Sequence, residues 1–217
     1  MTARARSESL TVAGPAGAIE ALVDDPEAGT PPAFGIVCHP HPLYGGSMSN
    51  KVVHTVARAL NDVGLPAVRF NFRGVGASTG TYDEGRGETQ DLLAVLRDAR
   101  ARWPGAAFWL GGFSFGAYVA LRAQGLPGSA PARLVVVAPP VGRWDFAPVA
   151  PPRCPWLVVQ GGADDVVDAA AVAAWAGGQP TAPRYVALPE AGHFFHGRLA
   201  ELREAVRAFA ADGLAGH

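Results

Sequence analysis

The stretch Trp109-Leu-Gly-Gly-Phe-Ser-Phe-Gly-Ala-Tyr-Val-Ala120 constrains this chain more than any other. An apolar run, Ala106 to Leu110, leads into Gly111-Gly112, and Phe113-Ser114-Phe115-Gly116 then opens a breaker-free segment of helical composition, Ala117 to Arg122. The order predicts strand, sharp turn and helix, with Ser114 at the apex of a G-x-S-x-G pattern and its hydroxyl pushed clear of the backbone. The glycines follow from sterics. With the serine backbone in a sparsely allowed conformation, the residues two before and two after it come close, and a Cβ at either place would clash. Ala117 and Ala120 continue that logic by letting the helix lie near the sheet.

Around this turn the chain alternates strand and helix. Ser9–Val12 and Ala18–Val23, flanking Gly14-Pro-Ala-Gly17, predict two antiparallel strands and their turn. Asp24 to Pro32 is a loop, and Ala33–Cys38 is a short apolar run suited to a buried strand. Ser49 to Val63 carries a helical stripe (Val52, Val53, Val56, Ala59, Leu60, Val63) that ends at Gly64, and Ala67–Asn71 is the next strand. After the long loop Phe72 to Gly87, an amphipathic helix over Glu88–Trp103 stops at Pro104-Gly105. Arg133–Ala138 and Trp156–Gln160 are continuous apolar strands, as a parallel sheet covered on both faces requires. A short helix (Ala169–Ala176), a last strand (Arg184–Leu188) and a closing helix (Leu199–Ala211) complete the pattern. The expectation is an α/β fold, a doubly wound, mostly parallel sheet with an antiparallel start, in one domain over residues 1–217. Reactive groups then belong at the C-terminal ends of strands. Pro139 to Pro155 is long enough only for a loop, so no substantial lid is expected.

Composition removes other classes. Hydrophobic residues are 49%, charged residues 17%, and the net charge is −1. Lys51 is the one lysine and the arginines are scattered, which argues against a polyanion-binding face and so against nucleic acid. The first residues lack the apolar core of a signal peptide, and no apolar stretch approaches the roughly 20 residues of a membrane span. A cytoplasmic location without membrane attachment is expected, with Cys38 and Cys154 as free thiols. No CxxC, HExxH or comparable spacing occurs, and His39 and His41 alternate with prolines, so no metal is expected. Phe72-Arg-Gly-Val-Gly-Ala-Ser78 lacks the third glycine and the immediate helix of a dinucleotide fingerprint, so no cofactor is expected either. Arg73 should anchor that loop through hydrogen bonds.

A serine hydroxyl is a poor nucleophile at neutral pH and needs a base, usually an imidazole oriented by a carboxylate. Asp164, in Gly161-Gly-Ala-Asp164, lies just past one strand end, and His193, in Pro189-Glu-Ala-Gly-His193, follows the last strand. Asp165, next in sequence, and Asp145, after the preceding strand, are the alternative acids. The other histidines, His39, His41, His54 and His196, are expected to cap or hydrogen-bond.

The chain resembles the α/β-hydrolase superfamily, and within it the small lidless members related to dienelactone hydrolases and short-chain esterases. The resemblance spans nearly everything from Val12 to Phe209. It rests on His39-Pro-His-Pro-Leu-Tyr-Gly-Gly46, Phe72-Arg-Gly-Val-Gly-Ala-Ser78, Gly112-Phe-Ser-Phe-Gly116, Gly161-Gly-Ala-Asp164 and Gly192-His-Phe-Phe195. It implies Ser114 as nucleophile, Asp164 as orienting acid and His193 as general base. Dienelactone hydrolases use cysteine as nucleophile, so a serine moves the expectation toward ordinary esters. Dehalogenases and epoxide hydrolases of this fold place aspartate at the same turn, and Ser114 argues against both.

Oxyanion donors are expected from the backbone N–H of Phe115, at a helix start, and of Leu43, by matching His41-Pro-Leu-Tyr-Gly45 to the family's H-G-x-x-G, with Tyr44 as runner-up. Tyr44, Phe113, Trp144 and Phe194 are the candidate substrate-binding residues, in a set that also includes Leu43, Phe115 and Phe146. The reading is a serine carboxylesterase acting on small, short-acyl esters through an acyl-enzyme. A thioesterase or peptidase with the same three residues is the alternative within hydrolases. A non-catalytic binding protein is the alternative outside them, and the apparent triad argues against it. The partner expected is a small-molecule ester, and oligomeric state is not legible.

Overall fold

The computed structural model describes residues 6–26 and 29–215. In chain order these form β1 (Arg6–Gly14), β2 (Gly17–Asp25), β3 (Ala33–Cys38), a 3-10 turn (Pro42–Tyr44), α1 (Lys51–Asn61), β4 (Ala67–Phe70), α2 (Arg86–Arg102), β5 (Ala107–Phe113) and α3 (Phe115–Gln124). They continue with β6 (Arg133–Val137), β7 (Trp156–Gly161), α4 (Ala169–Gly177), β8 (Arg184–Leu188) and α5 (Leu199–Leu214). The strands make one eight-stranded sheet in the order β1-β2-β4-β3-β5-β6-β7-β8. β1 and β2 are antiparallel to each other and β2 to β4, and every pairing from β4 to β8 is parallel. The expected fold class is what is found. Between β6 and β7 the described residues contain no helix, so nothing there caps the sheet end.

The central strands are buried on both faces, and their alternation divides the core in two. Phe34 and Ile36 of β3, Leu110 of β5, Val136 of β6 and Val158 of β7 face α2, α3 and α4, where Leu92, Val95, Val119, Ala120 and Val172 meet them. Val37, Trp109, Val135 and Leu157 face α1 and α5 and pack on Val53, Val56, Leu60, Leu202, Val206 and Phe209. Each such side chain taken out of water contributes about 1.5–3 kcal/mol. α1 starts where Asn50 accepts the N–H groups of Val52 (2.9 Å) and Val53 (3.4 Å). It gives way to Gly64, whose φ of 81° suits a residue without Cβ.

Element boundaries differ from the sequence expectation where backbone contacts decide. β5 runs on through Gly111 and Gly112 to Phe113, because those glycines pair with Val37 and Cys38 on one side and with Val135 and Val136 on the other. α2 begins at Arg86 rather than Glu88. Gly85 takes φ 88°, and the buried Glu88 carboxylate accepts the N–H groups of Asp83 and Gly85, both at 2.8 Å.

Chain progression moves outward from β3 to β4 and then, after α2, outward on the other side of β3 through β5 to β8. The two directions part between β3 and β5, so the loops leaving these neighbouring strands diverge. A crevice opens at their C-terminal ends.

Candidate active site

Ser114 sits in that crevice, between the end of β5 and the start of α3, with φ 53° and ψ −120°. This is a backbone region that L-residues seldom occupy, and the surroundings hold it there. The Ser114 N–H donates to Val137 O (2.9 Å), and Ser114 O accepts from the N–H groups of Ala117 (2.8 Å) and Tyr118 (3.2 Å). A Cβ on Gly112 would lie 2.2 Å from Gly116 O, and one on Gly116 would lie 2.3 Å from Cys38 O and 2.5 Å from His39 O. The second contact is with the neighbouring strand, so the turn is wedged against the end of β3.

The loop after β7 carries Asp164, and the loop after β8 carries His193; the side chain of Asp164 is fully buried and that of His193 nearly so. His193 Nδ1 lies 2.9 Å from Asp164 Oδ2, and His193 Nε2 lies 3.0 Å from Ser114 Oγ. Asp164 Oδ1 accepts the N–H groups of Val166 (2.9 Å) and Val167 (2.8 Å), and Oδ2 also accepts from Gln160 Nε2 (3.0 Å). Burial pushes this carboxyl up, but the hydrogen bonds from His193, Val167 and Val166 outweigh it and hold the net value below the usual one. A carboxylate that can only accept requires the proton on His193 Nδ1, which leaves Nε2 as acceptor for the Ser114 hydroxyl. Asp165 and Asp145 are both exposed, and Asp145 Oδ1 accepts the Ala147 N–H (2.9 Å). Gln160, which sequence reasoning missed, was legible there only as the last residue of a strand.

A cavity of about 270 Å³ opens over Ser114 and His193. Its wall includes Pro40, His41, Tyr44, Gly46, Asn50, Pro140, Arg143, Trp144, Val166, Val167 and Phe194. Three of the four aromatic candidates, Tyr44, Trp144 and Phe194, are therefore on the wall. Phe113 is not: it is wholly buried, with its ring 5.1 Å from that of His193 and 5.9 Å from that of Phe194. It backs the imidazole instead of bordering the cavity, because β5 continues through it and strand alternation from Trp109 turns it inward. Arg143, Val166 and Val167 are wall residues that the sequence did not single out.

The backbone donors divide. Phe115 is the first residue of α3, where no N–H has a partner within the helix. The Leu43 N–H donates to His41 Nδ1 (3.2 Å) and the Tyr44 N–H to His41 O (3.2 Å), so both amides of the 3-10 turn already have acceptors. The His41 ring is wedged among Tyr44, Tyr82, Phe115 and Trp144, 4.7 to 5.5 Å between centroids.

Behind the cavity, His39 is fully buried, donating from Nδ1 to Pro40 O (2.6 Å) and accepting the Phe72 N–H at Nε2 (3.0 Å). Burial drives its pKa down to about 4. Arg73 grips Asp91 with Nε (3.0 Å) and Nη2 (2.8 Å), and its own N–H reaches the same carboxylate (3.1 Å), which fastens the long loop to α2. Among the described residues no three His, Cys, Asp or Glu side chains cluster as metal ligands, both cysteines are free, and no helix is long and apolar enough to cross a membrane.

Comparisons with known proteins agree on the fold that carries this site. A family model described as serine aminopeptidase, S33, matches residues 43–152. An uncharacterized protein of Rickettsia prowazekii (strain Madrid E) is 38% identical over 162 residues, 72% of this chain and 66% of that protein's length. Among solved structures, an α/β serine hydrolase without lid from Xanthomonas campestris is 47% identical, with 95% of this chain and 94% of that one covered, at a TM-score of 0.90. An α/β serine hydrolase homologue from Coxiella burnetii is 46% identical, with 93% and 96% covered, at 0.87.

Proposed function

The chain belongs to the serine aminopeptidase S33 family of the α/β-hydrolase superfamily and is a serine hydrolase, and on that premise we propose that it is a carboxylesterase for small, short-acyl esters. The observation that carries the reading is the unbroken hydrogen-bonded line from Ser114 Oγ through the His193 ring to Asp164. In this reading Ser114 Oγ attacks the acyl carbon while its proton passes to His193 Nε2, and Asp164 steadies the imidazolium that forms. The oxyanion is met by the Phe115 N–H, with the positive end of α3 behind it. Leu43 adds a second donor by exchanging His41 Nδ1 for the oxyanion. Collapse expels the alcohol, which takes the proton from His193. Water, deprotonated by the same nitrogen, then cleaves the acyl-enzyme and releases the acid.

The size of the cavity favours short chains, and the open sheet end leaves no roof to hold long ones. The experiment is an ester panel graded by acyl length, run on wild type and Ser114→Ala, with fluorophosphonate labelling of each. Loss of at least about 10⁴-fold in kcat and of all labelling is expected for the variant. Retained activity on activated esters refutes the assignment. Because the family model is described by an aminopeptidase, matched ester, thioester and peptide substrates are compared in the same assay; faster peptide or thioester cleavage moves the reading to those bonds.

A further inference from the structure

Among the described residues, Arg143 is the one with a permanent charge on the cavity wall, which holds no Asp or Glu. It lies in the loop after β6, is exposed, and donates from Nε to Val166 O at 2.5 Å. Val166 in turn gives its N–H to Asp164, so the arginine is tethered to the segment that holds the buried acid. The tether uses one of its five N–H donors. No carboxylate lies within ion-pair distance of its guanidinium among the described residues, unlike Arg73, Arg102, Arg184 and Arg203, each of which is paired. An arginine positioned by its stem nitrogen on the wall of the cavity that also holds Ser114, with no partner for its terminal nitrogens among the described residues, is a fork waiting for a planar anion.

We propose that Arg143 selects esters carrying a carboxylate, such as monoesters of short dicarboxylic acids. The proposal rests on the esterase reading and adds the charge of the substrate to it. Its opposite would be an arginine that merely straps two loops together. Because the group is exposed, the preference is modest and sensitive to salt.

The test compares kcat/KM for monoethyl glutarate and ethyl valerate, which share the five-carbon acyl chain, in wild type, Arg143→Gln and Arg143→Lys. Wild type should favour the glutarate about fivefold to twentyfold at low salt, falling toward parity at high salt. Arg143→Gln should erase the preference, and Arg143→Lys, which keeps the charge but neither the planar fork nor the Nε bond, should restore only the salt-sensitive part of it. A wild-type preference for valerate, a ratio unchanged in Arg143→Gln, or equal losses on both esters in both variants overturns the proposal. If neither ester is turned over, the esterase reading falls separately. The role of Arg143 is then decided by titration calorimetry with glutaramate against valeramide, where equal binding overturns it and tighter glutaramate binding, lost in Arg143→Gln, upholds it.

Discussion

The floor of the cavity and its rim are built differently. On the floor, Ser114, His193 and Asp164 are held by at least one backbone or side-chain bond each, and Asp164 accepts four. On the rim, Tyr44 is 86% exposed and Phe194 44%, and Arg143 has a single tether among the described residues. The floor is over-determined, so its geometry exists before any ligand arrives. The rim is under-determined, so its side chains can adjust to what docks. Chemistry sits on the first and selectivity on the second.

The contrast is most severely tried by exchanging neighbours. Asp164→Asn removes the charge and replaces one acceptor oxygen by an NH2 donor, which favours the wrong His193 tautomer and should lower kcat by about 10⁴-fold, while Asp165→Asn, one residue away and exposed, should leave kcat within about twofold, as steady-state ester hydrolysis will read. Comparable losses in both would show that the floor's hydrogen bonds do not set Asp164 apart from its exposed neighbour.

Glycine substitutions apply the same contrast to the backbone. Gly116→Ala drives a Cβ into two carbonyl oxygens and should cost about 3 kcal/mol of unfolding free energy or prevent folding. Gly45→Ala meets no atom within 4 Å and is strained only by its φ of 77°, so about 1 kcal/mol is expected from urea unfolding.

Burial of histidines shapes the response to acid: it lowers His39, His41 and His54, and of these His39 is the one wholly buried. Its folded pKa, about 4, lies below the ordinary 6.5, so on acidification the unfolded chain takes up the proton first and the folded state is progressively disfavoured between these values. At most about 3 kcal/mol is lost across that window, and stability measured against pH should show the decline. His39→Gln should make the decline shallower, leaving the part due to His41 and His54. The lowered carboxyl of Asp164 acts in the same direction at still lower pH. The smallest effect is expected at the rim: Tyr44→Ala should raise KM less than about tenfold with kcat nearly unchanged, since an 86% exposed ring contributes mainly contact area.

Floor and rim also differed in how legible they were. Backbone sterics demand Gly112 and Gly116, and alternating strands and helices place Asp164 and His193 in post-strand loops, so residue type and order carry the information. Phe113 misled because ending the strand at Leu110 frees it as a turn residue, whereas pairing through Gly112 assigns it to a sheet face. Nothing in the run Trp156 to Gly161 announces that the Gln160 amide reaches forward to Asp164. The amide of Leu43 depends on where the His41 ring points, and that is fixed by aromatic neighbours distant in sequence, Tyr82, Phe115 and Trp144.

The wedge of Gly116 against the carbonyls of Cys38 and His39 makes one short piece of main chain the common footing of the nucleophile and of the segment bearing Tyr44. Everything from Pro42 to Ser49 stands beyond that footing. The segment is therefore anchored at both ends, at that footing and again where Met48 meets Asn71 and Arg69, so that between the anchors the side chain of Tyr44 can be exchanged to change which molecules are admitted while the reacting hydroxyl keeps its place.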